Sequence, residues 1–382
     1  MSDISASIDP DQYGNLRGSS TSHYLVKLLD FVLKGLDQPK TFALITLIDF
    51  RKAFDLVDHS IAVRELFTMG CRPELIPVIS SFLQDRQHRV SYGEALSNWA
   101  NITCGVPQGT LLGPIIFLCV VNSVARNAPL HVKYVDDLSL AEIVDASDDV
   151  IHLSTQGDLT EVSNDCIRVL ITTNPLKCEV LICRPPAREI TLPDLTIDDV
   201  ILPLVSEVKL LGIYLNSELN WTTHVTHLIK KVNKCLFILY RAKQFRFNIR
   251  TLFTLYVWYI RTSLEYGVPV WHSSLTRKQS DQLERVQRRC FRIILGSAYL
   301  GYDEACERLG TTSLEKRRTQ LCYRFAKGIL KSEKHRAMLP APFQHRYTTR
   351  GRERLLPSVR CRQARYYKSS VPYLVRLLNG EN

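Results

Sequence analysis

The chain has 382 residues, enough for roughly two to three domains, and 45% of them are hydrophobic while 23% are charged, as in a globular protein with a sizeable core. Its net charge of +11 conceals a division: residues 1–221 hold 17 Lys plus Arg against 28 Asp plus Glu, a balance of −11, whereas residues 222–382 hold 32 against 10, a balance of +22. Apolar runs such as IIFLCVV (115–121) fall short of the roughly 20 residues that span a bilayer, and the polar N-terminus lacks a secretory layout, so neither a transmembrane segment nor secretion is expected.

The first twenty residues are polar, and YLVKLLDFVLKGL (24–36) then spaces Leu25, Leu28, Leu29, Val32 and Leu36 as one helical face. TFALITLI (41–48) is an uncharged run of strand length ending at Asp49. Helices are expected near 59–69 and 73–85, and a strand pair near 88–92 and 99–104. GVPQGTLLGP (105–114) is a loop that opens an apolar helix ending near Arg126, and KYVDDLSL (133–140) reads as a hairpin. A helix over 157–170 and strands at 178–183 and 207–215 close the acidic half.

The basic half reads as helical. Residues 224–245 put Val225, Leu228, Ile229, Val232, Leu236 and Leu239 on one face with Lys230, Lys231 and Lys234 off it, and 277–296 repeat the pattern through Leu283, Val286, Cys290, Phe291 and Ile294 to a stop at Gly296. Residues 331–382, with 12 basic against 3 acidic side chains, look extended and punctuated by proline. A basic region interleaved with Tyr, Trp and Phe suits nucleic-acid phosphates. Eleven cysteines without a CxxC fit reduced thiols inside the cell, in cytoplasm or nucleus, and His224 with His227 lacks the further ligands of a zinc site.

The adjacent carboxylates Asp136 and Asp137 have two readings: a turn dipeptide, or oxygen ligands for a hard divalent cation such as Mg2+. A third carboxylate at a neighbouring strand end, Asp49, would favour the second, since two-metal nucleotidyl transfer needs converging carboxylates. Asp55 and Asp58 are rivals expected to serve structure in the following turn and helix. In GVPQGTLLGP the glycines permit close backbone approach and Gln108 can hydrogen-bond.

The ordered set DFRKAFD, GVPQGTLLGP and YVDD resembles the palm of a reverse transcriptase, and DQYGNLRGSST, NPLKCEVLIC, EVKLLGIYLNSELNW, LEYGVPVW and LERVQRRCFRIILG extend the likeness to jockey-like non-LTR retrotransposons over nearly the whole chain. The resemblance implies an α+β fold: a palm of antiparallel sheet and packed helices (41–221) after a residual fingers and lead-in segment (1–40), then a basic helical thumb (222–330) and a basic C-terminal tail (331–382). It implies RNA-directed DNA polymerase activity on an RNA template, a DNA primer and dNTPs. Asp49, Asp136 and Asp137 would be catalytic and hold two Mg2+, for which Mn2+ can substitute. Phe54 would be the gate against a ribose 2′-OH. Gln108, Gly109 and Lys177 would contact the nucleotide, and Leu211 with Gly212 would grip the primer end. The family's fingers, with their triphosphate-holding basic residue, are expected to be largely missing, and its endonuclease absent. NDCIRVLITTNP departs from the family's tryptophan- and asparagine-rich stretch. An alternative is therefore a catalytically incomplete retroelement remnant that binds nucleic acid without efficient polymerisation.

Overall fold

A computed structural model describes residues 4–147, 151–184, 192–342 and 355–381. The chain forms two compact units, one from residues 1–24 and 40–205, the other from 25–39 and 206–382. The later change of unit falls between Val205 and Ser206, just before the 207–215 segment. Helix α1 (Thr21–Gly35) runs through the first change of unit, and the predicted apolar face is buried at Leu25, Leu28, Leu29, Val32 and Leu36. No described helix is long and apolar enough to cross a membrane.

The first unit is built on β1 (Thr41–Ile48), whose interior residues are packed on both sides, as its uncharged composition requires. After it come α2 (His59–Thr68), α3 (Ile76–Leu83) and two small ladders, β2 (Arg86–His88) with β5 (Ala100–Ile102) and β3 (Ser91–Tyr92) with β4 (Ala95–Leu96). Next are α4 (Leu112–Val120), the hairpin of β6 (His131–Tyr134) and β7 (Asp137–Asp145), and α5 (Thr155–Arg168). β8 (Glu179–Cys183), the pair β9 (Thr196–Ile197) and β10 (Val200–Ile201), and β11 (Leu204–Val205) complete it. The central sheet has the order β11-β8-β1-β7-β6, antiparallel except where β11 meets β8. Phe42, Leu44 and Ile48 of β1 share one core with Leu66 of α2, Ile116, Phe117 and Val120 of α4, and Leu159 and Val162 of α5.

Helix α4 stops at Val120, short of the expected Arg126. Just past that end, the buried Lys133 ammonium donates to Asn122 O at 2.9 Å and Val121 O at 3.4 Å. The same ammonium lies 2.6 Å from Asp9 Oδ2, and His131 Nε2 lies 2.8 Å from that oxygen. Burial alone would raise the Asp9 carboxyl, but the His131 hydrogen bond and the Lys133 charge hold it far below the usual range. Residues 11–13 pair with β6 as well, Lys133 N–H donating to Asp11 O at 2.9 Å and Tyr13 N–H to Lys133 O at 2.8 Å.

The second unit opens with β12 (Glu207–Leu210) and β13 (Ile213–Asn216), a hairpin where one continuous strand was expected. The break is at Leu211 and Gly212, with φ of 45° and 80°. Helices α6 (Thr222–Gln244), α7 (Ile249–Leu255), a π-helical turn at Tyr256–Arg261, α8 (Thr262–Glu265) and α9 (Val268–Trp271) follow. α10 (Arg277–Leu295) packs on α6, buries the five residues picked out by periodicity, and is started by a capping box at Thr276 and Gln279. On α6, Ile229 is only partly covered while the other five predicted residues are buried and the three lysines are exposed. α11 (Tyr302–Arg308) and α12 (Leu314–Lys331) come next. The tail is not wholly extended: it forms α13 (Ala364–Tyr367) and α14 (Ser370–Leu378), the latter packing on α12 and burying Val371, Leu374, Val375 and Leu377. The basic stretch 343–354 lies outside the described residues.

Candidate active site

Strand register brings the acidic residues together. Ile48 pairs with Leu138, and Tyr134 with Asp137, so Asp49, one residue past the end of β1, stands across from Asp137 at the mouth of the β6–β7 turn. Val135 and Asp136 form that turn, Val135 with a φ of 63°. Asp137 still reaches solvent, yet partial burial and then the charges of Asp136 and Asp49 push its carboxyl up to about 6. Partial burial, opposed by a backbone hydrogen bond, and the Asp49 charge also raise Asp136. Asp137 therefore feels both other carboxylates, and Asp136 feels Asp49.

Asp49 is held from behind. Its carbonyl accepts from Asn174 N–H at 2.8 Å, its Oδ2 accepts from Asn174 Nδ2 at 3.2 Å, and Lys177 Nζ stands 3.7 Å from the same oxygen. Lys177 is thus a neighbour of Asp49, although its own side chain is 70% exposed. The aspartate oxygens are not drawn into a closed cage. Among the described residues, the one group of three His, Cys, Asp or Glu whose ligand atoms lie within 4.8 Å of one another is Asp9, Asp11 and His131. That group already contains a cation, the Lys133 ammonium, which makes it a buried ion-pair cluster. Sequence reading missed it; the one available sign was a lysine inside the apolar strand HVKYV.

The DFRKAFD turn and the GVPQG loop are one structure. Gly105 N–H donates to Val57 O at 2.7 Å and Val106 N–H to Phe54 O at 2.9 Å. A Cβ on Gly105, whose φ is 82°, would sit 2.5 Å from Asp55 O, so glycine is required for this approach. Phe54 lies in a turn rather than a helix; its half-buried ring stacks on Phe117 with centroids 4.6 Å apart. Asp55 Oδ1 accepts from Gln108 Nε2 at 2.8 Å, and Asp58 caps α2 by accepting from Ile61 N–H at 2.9 Å. Gln108 lines an open cleft of about 580 Å³ with Asp55, Arg86 and His88. Gly109, with a φ of 78°, has open space where a side chain would be. Leu211 and Gly212 belong to the second unit, at the tip of the β12–β13 hairpin.

Residues 1–215, more than half of the chain, match the family described as reverse transcriptase (RNA-dependent DNA polymerase). Over 312 residues the chain is 25% identical to the probable RNA-directed DNA polymerase from transposon BS of Drosophila melanogaster, covering 76% of this chain and 33% of that protein. It is 24% identical over 317 residues to the RNA-directed DNA polymerase from mobile element jockey of Drosophila funebris, covering 78% and 33%. The probable RNA-directed DNA polymerase from transposon X-element of Drosophila melanogaster is 24% identical over 303 residues, covering 75% and 32%. The chain thus spans about a third of the length of these curated relatives. A solved telomerase from Candida tropicalis, in complex with a TWJ fragment of telomeric RNA, superposes with a TM-score of 0.43 at 11% identity over 96% of this chain and 50% of that one, too loosely to carry an argument. The chain belongs to the reverse transcriptase (RNA-dependent DNA polymerase) family, and its curated relatives are the polymerases of jockey-like, non-LTR mobile elements.

Proposed function

We propose that this chain is the RNA-directed DNA polymerase region of a non-LTR retrotransposon, extending a DNA primer with dNTPs along an RNA template. The carrying observation is the register that sets Asp49 across from Asp137, beside Asp136, where the Asp49 charge helps raise the protonation range of both neighbours. An arrangement of hard oxygen donors with surplus negative charge fits divalent cations, Mg2+ or Mn2+. Asp49, Asp136 and Asp137 would hold two such ions, which when bound supply activation of the attacking oxygen and charge neutralisation at the phosphate.

Other residues would take the remaining roles. Lys177, next to Asp49, offers a cation for a phosphate; Phe54 presents a bulky wall to the sugar; Gln108 and Gly109 line the approach of the nucleotide. The 41–221 region would be the palm, with the Leu211–Gly212 turn meeting the primer end. Residues 222–330 and 331–382 would serve as thumb and tail, bringing positive charge to template and primer phosphates. The free cysteines suit a reducing intracellular compartment.

The test is extension of an oligo(dT) primer on poly(rA) by the purified chain, with Mg2+ or Mn2+ and dTTP. Extension is expected in the wild type and lost in Asp136→Asn, with circular dichroism unchanged. No extension with either metal, or extension undiminished in the variant, would overturn the reading.

A further inference from the structure

The second unit contains a cavity of about 130 Å³ that the polymerase reading leaves without a use. This approaches the roughly 150 Å³ of an engineered apolar cavity that admits benzene. Leu29, Leu33, Leu215 and Val270 supply an apolar lining. Trp221, Ser369, Arg365 and Lys368 also line it, and among the described residues no Asp or Glu does.

Two of those polar groups are buried without a hydrogen-bond partner: the indole Nε1 of Trp221, a residue 6% exposed, and the hydroxyl of Ser369, a residue 3% exposed. An indole N–H can only donate, and leaving it buried without an acceptor costs free energy. Ser369 is also the N-cap of α14, but its side chain makes no capping bond. The start of that nine-residue helix therefore adds its own favourable field for an anion. The two buried donors, the Lys368 ammonium and the helix start all favour an acceptor with negative charge, while the aliphatic lining favours carbon.

We propose that this cavity binds a small carboxylate with an apolar body about the size of a benzene ring. The carboxylate oxygens accept from Trp221 Nε1 and Ser369 Oγ near Lys368 and Arg365, and the body rests on the leucines and Val270. This proposal stands independently of the polymerase reading.

The probe is 4-fluorobenzoate, followed on the full chain by fluorine NMR and titration calorimetry, with fluorobenzene as the neutral counterpart and acetate as the head without the body. Saturable binding of one fluorobenzoate per chain is expected, tighter than either control. Lys368→Met, a change to an exposed side chain, should weaken it about tenfold, as loss of a charge-assisted contact does. Trp221→Phe should weaken it too, with folding checked by circular dichroism; if that variant does not fold, Lys368→Met decides. Absence of saturable binding, meaning a cavity that holds water only, overturns the proposal. So does equal binding of fluorobenzene, or full affinity in Lys368→Met.

Discussion

The Tyr266 hydroxyl donates a 2.8 Å hydrogen bond to the carbonyl of Leu211, and its ring carbon Cε1 stands 3.1 Å from where a Cβ on Gly212 would lie. The two-residue turn between β12 and β13 needs positive φ at both positions, and only its second residue is a glycine. Gly212→Ala should therefore destabilise the chain by about 1–3 kcal/mol, through backbone strain and crowding. Tyr266→Phe should cost about 1 kcal/mol. Urea unfolding measures both, and an unchanged midpoint for Gly212→Ala would remove the close-packing argument. If the turn meets the primer, extension should fall in both variants at temperatures where they remain folded.

One substitution can separate the packing of Phe54 from its proposed role as a wall against the sugar. Its ring stacks on Phe117 in the first unit's core, so Phe54→Val should lower stability by about 1–3 kcal/mol. If the ring also walls off the 2′ position of the sugar, the variant should use ribonucleotides more readily relative to deoxynucleotides. Comparing ratios of kcat/KM for the two sugars distinguishes the roles. Lower stability with unaltered sugar preference would assign Phe54 to packing alone.

His224 is buried against Trp221 and Trp271, and burial, then the neighbouring His227, pushes its imidazole down to about 4. The folded value lies below the ordinary 6.5, so the folded state takes up a proton less readily than the unfolded chain. Stability is full above about pH 6.5 and is lost as pH falls toward 4. The effect amounts to at most roughly 3 kcal/mol. His224→Phe should flatten the fall, in part only, because burial and the Arg318 charge hold His272 down at about 3. Urea midpoints at pH 7.5, 5.5 and 4.5 measure this, and an unaltered slope in the variant would refute it.

Binding to nucleic acid should follow the charge of residues 222–382. Lys230, Lys231 and Lys234 are exposed on α6, and Arg241 lies over the exposed rings of Phe237 and Phe245 at 6.0 and 5.4 Å from their centroids. Affinity for a template-primer should be largely independent of sequence and fall steeply with salt, by about 0.9 in the logarithmic slope for each phosphate neutralised on B-form DNA. Changing the three lysines to glutamine should reduce that slope by about one for each phosphate contact removed. Filter binding from 50 to 300 mM salt checks it; a salt-independent affinity would rule out phosphate recognition.

Local pattern made β1, the β6–β7 hairpin, α6 and α10 legible, because each is specified by its own periodicity or turn chemistry. What escaped was set by partners distant in sequence. Past the end of α4, the carbonyls of Val121 and Asn122 accept from the Lys133 ammonium of β6. The hairpin inside 207–215 hides behind a Leu-Gly pair that lacks the usual Asn-Gly wording. Helix α14 was lost in a stretch read by its charge and prolines, although its apolar residues pack on α12. At the acidic site, the identities of Asp49, Asp136 and Asp137 were readable, but the Asn174 and Lys177 support behind Asp49 lies some 125 residues away along the chain.

The segment around Asp11 to Tyr13 closes what would be a bare sheet edge. β6 is the outermost strand, and a free strand edge invites pairing with another molecule. Deleting residues 1–14 would strip Lys133 of its Asp9 counter-charge in a site that is 3% exposed, and uncover the amide and carbonyl of Lys133 that now pair with Tyr13 and Asp11. A chain shortened there should self-associate through strand edges and lose solubility with rising concentration, so that its first symptom would be aggregation rather than slow chemistry.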